Sequence, residues 1–124
     1  MDQKFFICKS CGNIVTPVND SGTSLVCCGD KMTLLIPGAV NASREVHVPV
    51  WNVKGCLLHV KVGAKEHPML PDHYIEWIAV QTKRGLRFKR LRPGEKPEAR
   101  FALCADDEVE AVFAYCNIHG LWKS

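Results

Sequence analysis

The chain has no apolar run approaching the ~20 residues that span a bilayer, and no membrane segment is expected. Its first residues, MDQKFFICKSC, lack the basic region and long apolar stretch of a signal peptide, so a cytoplasmic location is the expectation. Internal repeats and low-complexity tracts are also missing, which removes repeat architectures from consideration. Aromatic residues are scarce where a nucleic-acid surface would need them. The basic stretch Lys83, Arg84, Arg87, Lys89, Arg90 and Arg92 carries much of the net charge of +3 but is interleaved only by Phe88. A solvated hairpin is the simpler reading, and no nucleic-acid partner is expected.

Cysteine, by contrast, is abundant. Seven in 124 residues is a high and odd count, and clustered cysteines in a reducing compartment more often bind metal than form disulfides. The first 36 residues are cysteine-rich and broken by turn residues at Gly12-Asn13, Asn19–Gly22 and Gly29-Asp30. So small a segment cannot bury a self-sufficient core and needs a metal or a partner chain to fold. Pro37-Gly38 marks a break, giving a division into residues 1–36, a linker over 37–44 and a second domain over 45–124.

The second domain reads as strands separated by turns: Glu45–Val53, Leu57–Val62, Tyr74–Thr82, Leu86–Leu91, Ala99–Cys104 and Val109–Tyr115. Short strands at this spacing predict a mainly β chain with a β-sandwich. Residues 106–114 are compatible with a helical turn as well as a strand. Cys56, Cys104 and His59 read as ordinary residues, the cysteines as small members of the core.

Two constellations carry chemistry. Cys8-Lys9-Ser10-Cys11 is a C-x2-C pair, and Cys27-Cys28 follows after fifteen intervening residues. Two such pairs suit a tetrahedral ion, and the spacing leaves zinc and iron both open. Neighbouring side chains in a strand diverge, so binding Cys27 and Cys28 to one ion demands a kink. The second constellation is His47, His67, His73 and His119 at strand ends or turns, with Cys116 in the C-x2-H turn Cys116–His119. It makes a plausible second metal site.

The stretches HVPV (47–50), KVG and HPM (61–63, 67–69), HYIEWI (73–78), PGEKPEA (93–99) and CNIHGLW (116–122) resemble desulfoferrodoxin, the two-iron form of superoxide reductase. The N-terminal C-x2-C and CC pairs are similar to its desulforedoxin-like domain. The resemblance implies a desulforedoxin-like domain and an immunoglobulin-like sandwich. It implies two iron ions per chain. One would be held by Cys8, Cys11, Cys27 and Cys28; the other by His47, His67, His73 and His119, with Cys116 axial. It further implies superoxide as substrate, a rubredoxin-like electron donor and a homodimer. Glu45 matches the family's glutamate, which can take the sixth position of the oxidised iron. On a strand, alternation would put Glu45 and His47 on one face.

Such ligands suit the reduction of superoxide to hydrogen peroxide. Four neutral imidazoles and one thiolate leave ferrous iron with a single net positive charge, which attracts the anion. Five protein ligands leave one position open, and a donating thiolate eases oxidation of the metal. A non-catalytic electron carrier and a dismutase are the competing readings. One position departs from the family pattern. Where Glu-Lys-His is common, this chain has Glu45-Val46-His47, so the positive charge near the open site is absent unless Arg44 or Lys65 supplies it.

Overall fold

Five two-residue strands, each bracketed by turns, make up the cysteine-rich segment: β1 (Phe6–Ile7), β2 (Ile14–Val15), β3 (Val26–Cys27), β4 (Asp30–Lys31) and β5 (Thr33–Leu34). The computed structural model describes residues 1–124, and this segment, Met1–Ile36, is the first of two compact units. β1 lies between β2 and β5, and β3 pairs with β4, all antiparallel. Phe5 and Cys8 are its only fully buried apolar side chains. Burying one large side chain contributes about 1.5–3 kcal/mol, far too little to offset the ordering of 36 residues. A cross-link through metal, or a partner chain, must supply the rest.

The second unit, Pro37–Ser124, opens with a helical turn, α1 (Arg44–His47), and continues in seven strands: β6 (Pro49–Lys54), β7 (Leu57–Val62), β8 (Ile75–Thr82), β9 (Leu86–Arg90), β10 (Glu98–Ala102), β11 (Val109–Cys116) and β12 (Gly120–Lys123). One antiparallel sheet runs β10-β7-β6 and the other β12-β11-β8-β9. Period-2 alternation turns Leu58, Val60 and Val62 of β7 inward. They meet Ile78 and Val80 of β8 and Val112 and Ala114 of β11 in one apolar core. The chain is mainly β, and its larger unit is the expected sandwich.

Three expectations need correction. The strand predicted over 45–53 begins only at Pro49, because residues 44–47 form a helical turn closed by the Val48 N–H donating to the Arg44 carbonyl at 2.9 Å. Val48, held extended by the following proline, ends it. Pro49 then starts an edge strand, where its missing N–H does no harm. Glu45 and His47 therefore do not share a strand face: Glu45 is exposed and His47 buried. Second, Cys56 and Cys104 are exposed rather than core residues, since both fall in turns beyond the strand ends. Third, β12 was not anticipated; four residues directly after a turn give too short a pattern to read. The ambiguity at 106–114 resolves into a turn followed by β11. No helix is long and apolar enough to cross a membrane.

Two candidate metal centres

In the first unit, Cys8 and Cys11 flank a knuckle. Its Gly12 N–H donates to the Cys8 carbonyl and its Cys8 N–H to the Asn13 carbonyl, both at 2.8 Å. Cys27 ends β3, and Cys28 takes φ 53° with Gly29 at 79°. The hairpin turn after β3 thus supplies the kink that adjacent cysteines need. The four sulfurs lie within 4.8 Å of one another, with Cys11 and Cys27 at 3.6 Å. Backbone N–H groups of Cys11 and Ser10 pull the Cys8 thiol down to about 7, whereas crowding by the Cys11 and Cys8 sulfurs pushes Cys28 up to about 12. Four thiolates in so small a volume repel one another unless a cation neutralises them.

The second cluster gathers at one end of the sandwich. His47 closes α1 just before β6, His67 follows β7, His73 precedes β8, Cys116 ends β11 and His119 precedes β12. Donor atoms of His47, His67, His73 and Cys116 all lie within 4.8 Å of one another. His119 joins them through Nδ1, which stands 3.1 Å from His47 Nε2 and 3.9 Å from Cys116 Sγ.

Hydrogen bonds behind the rings settle which nitrogens face inward. His47 Nδ1 donates to the Ser43 carbonyl and His67 Nδ1 to the Pro68 carbonyl, each at 2.6 Å. A carbonyl only accepts, so Nδ1 carries the proton and Nε2 presents its lone pair. Burial keeps both rings neutral, lowering His47 below its ordinary value and His67 to about 4. Yet His47 Nε2 and His67 Nε2 stand 3.2 Å apart, lone pair facing lone pair. His73 Nε2 is also buried without a partner. A buried unsatisfied group costs about 1–3 kcal/mol, and one cation at the centre would satisfy His73 Nε2 and relieve the facing lone pairs of His47 and His67. Burial raises the Cys116 thiol, but the His119 N–H reaches its sulfur at 3.4 Å, a donor that favours the thiolate. A borderline imidazole and thiolate set of this kind suits iron.

A backbone amide of the Asn117–His119 turn on the Cys116 sulfur is expected from the sequence and is present in the His119 N–H, but the side chains that brace the cluster were not anticipated. Asn117 joins two of its loops: its Oδ1 accepts from the Tyr74 N–H at 2.9 Å and its Nδ2 donates to the Asp72 carbonyl at 3.0 Å. An asparagine in a turn reads only as a turn former. Trp122 stacks on His47 with centroids 4.8 Å apart, and its Nε1 donates to the His119 carbonyl at 3.1 Å. Gly63 lets the loop after β7 meet α1, because a Cβ there would lie 2.6 Å from the Glu45 carbonyl oxygen. The Lys65 N–H donates to that oxygen at 3.1 Å. Val46 is half-buried beside Glu45. The Arg44 guanidinium and the Trp122 ring edge converge on Gly38, 3.6 and 3.9 Å from where its Cβ would be.

Comparison with known proteins agrees with this arrangement. A family model described as Desulfoferrodoxin matches residues 39–124, and one for the Desulfoferrodoxin N-terminal domain matches residues 2–35. A desulfoferrodoxin homolog of Archaeoglobus fulgidus is 46% identical over 117 residues, covering 94% of this chain and 92% of that protein. Desulfoferrodoxin of Nitratidesulfovibrio vulgaris is 41% identical over 122 residues, 98% and 94% of the two chains. Among solved structures, the superoxide reductase from Treponema pallidum matches with TM-score 0.84 and 35% identity, over 99% of this chain and 97% of its own.

Proposed function

The chain belongs to the desulfoferrodoxin family, and from that premise we propose that it is a superoxide reductase, converting superoxide to hydrogen peroxide at the histidine–cysteine cluster. The observation that carries the proposal is the convergence of imidazole nitrogens and one cysteine sulfur within 4.8 Å of one another. The four-cysteine cluster and the cluster of His47, His67, His73 and Cys116 match the family's two iron centres. We assign Cys8, Cys11, Cys27 and Cys28 to the first iron, and His47, His67, His73, His119 and Cys116 to the second. Iron held in the second cluster supplies the electron that superoxide takes up, with two protons completing the peroxide.

The residues divide the remaining work. The Ser43 and Pro68 carbonyls fix the His47 and His67 rings with Nε2 inward, and Asn117 keeps the His73 loop in step with the Cys116–His119 turn. The His119 N–H moderates the charge on the Cys116 sulfur. Exposed Glu45, on the same turn as His47, is assigned as the carboxylate that would offer an oxygen donor to an iron held in this cluster. Val46 offers no charge to an approaching anion. Arg44, whose guanidinium lies near Gly38 as does the edge of the Trp122 ring stacked on His47, is the better substitute; for Lys65 the bond to this turn is from its backbone. We take residues 1–36 as the accessory domain, 37–44 as the linker and 45–124 as the catalytic domain, in a cytoplasmic homodimer reduced by a rubredoxin-like donor.

Superoxide added to the reduced, iron-loaded protein should be consumed with formation of peroxide and no catalytic release of oxygen. Oxygen evolution would point to dismutation. No superoxide consumption would leave only an electron carrier, and zinc alone in both sites of freshly isolated protein would sink the redox reading.

A further inference from the structure

At the far end of the sandwich from the histidine cluster lie two thiols that the mechanism does not use. We propose that Cys56 and Cys104 are a peroxide-responsive pair that closes into an intramolecular disulfide. Cys56 sits in the two-residue turn of the β6–β7 hairpin, between the paired residues Lys54 and Leu57. Leu57 pairs with Ala102 on β10, and one step further the Leu103 N–H donates to the Cys56 carbonyl at 2.8 Å. Cys104, next in the chain, opens a turn closed by the Asp107 N–H on the Cys104 carbonyl at 3.0 Å. The two cysteines thus stand in abutting turns joined by a backbone hydrogen bond.

Paired strands run about 5 Å apart and successive Cα atoms about 3.8 Å. Continuing the ladder one residue past the Leu103–Cys56 hydrogen bond brings the Cys56 and Cys104 Cα atoms to about 6 Å, inside the window a disulfide spans. Neither cysteine lies on a regular strand, so strand alternation does not force their side chains to opposite faces. Both thiols are free and exposed, and neither belongs to a metal cluster. The histidines flank the other ends of the six-residue strands β6 and β7, roughly 20 Å away. Closing the bridge leaves the cluster untouched.

The chemistry balances with hydrogen peroxide as oxidant. One thiolate attacks a peroxide oxygen and breaks the O–O bond, giving a sulfenic acid and hydroxide. The second thiolate attacks the sulfenic sulfur, the S–S bond forms and the sulfenic oxygen leaves as water. Two thiols and one peroxide yield a disulfide and two waters. That the protein itself generates the peroxide rests on the proposed activity; the bridge does not.

The test adds hydrogen peroxide directly to the reduced, iron-loaded full chain, alkylates the remaining free thiols and maps peptides without reduction. The expected result is a cross-linked Cys56–Cys104 peptide, loss of alkylation at those two positions only, and return of both thiols on treatment with dithiothreitol. Cys56→Ser and Cys104→Ser, both at exposed turns, should each abolish the cross-link and leave the other cysteine as a sulfenic acid trappable by dimedone. Recovery of both cysteines alkylated after peroxide treatment overturns the proposal. So does their appearance only in intermolecular disulfides or as sulfinic acids. Since no superoxide enters the experiment, loss of the proposed activity would not change its outcome.

Discussion

Val46 lies between the exposed Glu45 and the buried His47, and its side chain is half-buried. A valine there can neither attract an anion nor order a water by hydrogen bonding. Lysine at this position would add a charge one residue from His47, and a single charge acts mainly on encounter. Val46→Lys should therefore raise the rate of superoxide capture severalfold at low salt and steepen its decline with ionic strength, as stopped-flow measurements over a salt series would read. An unchanged rate and slope would mean that this position does not steer. Asn117 gives a second residue-level prediction. Asn117→Ala removes both side-chain bonds to the 72–74 segment, at a cost of about 1–3 kcal/mol. The variant should keep the optical bands of the cysteine-only centre and bind metal more weakly at the second, measurable by competition with a chelator. Cysteine and histidine positions were legible because few other roles explain four of them converging in spacing and turn context. Asn117 and Trp122 were not, because their work is done by contacts with segments remote in the chain.

At the scale of elements, the sandwich strands were readable where alternation had only one plausible reading, as in β7, whose inward Leu58, Val60 and Val62 define a clean face. Alternation misled at 44–47, where REVH looks strand-like yet forms a helical turn. The deciding interaction is tertiary: the turn packs its carbonyls against Gly63 and takes the Lys65 N–H on Glu45, and no local pattern encodes that. It follows that Gly63 is a requirement of the site rather than of the strand. A methyl group placed 2.6 Å from the Glu45 oxygen and 2.9 Å from the Val46 carbonyl carbon must displace backbone, not a flexible side-chain end. Gly63→Ala should lower iron occupancy of the second centre strongly while leaving the cysteine-only centre loaded. Metal analysis combined with the two sets of optical bands would show this, and full occupancy of both would refute it.

For the whole molecule, the two units differ in what holds them together. The second has an extended apolar core drawn from both sheets, whereas the first has Phe5, Cys8 and a cluster of thiols. Removing metal with a strong chelator under reducing conditions should unfold residues 1–36 and leave the sandwich strands protected. Limited proteolysis followed by mass spectrometry would then find cleavage concentrated before Pro37; equal cleavage throughout would show that the sandwich also depends on its ion. The domain division was legible because composition changes sharply at Pro37-Gly38, while the loops that bring His47 to His119 across 72 positions could be placed only through the family resemblance.

That separation along the chain has a consequence for the order of assembly. Cys28, the last donor of the first cluster, precedes His47, the first donor of the second, so a chain growing from its N-terminus exposes one complete donor set before any part of the other exists. The thiol cluster needs only a knuckle and a hairpin, both local. The histidine cluster exists only when strands from both sheets have docked. Iron supplied during synthesis would therefore meet the thiols first, and the histidine cluster would be filled only in a finished sandwich.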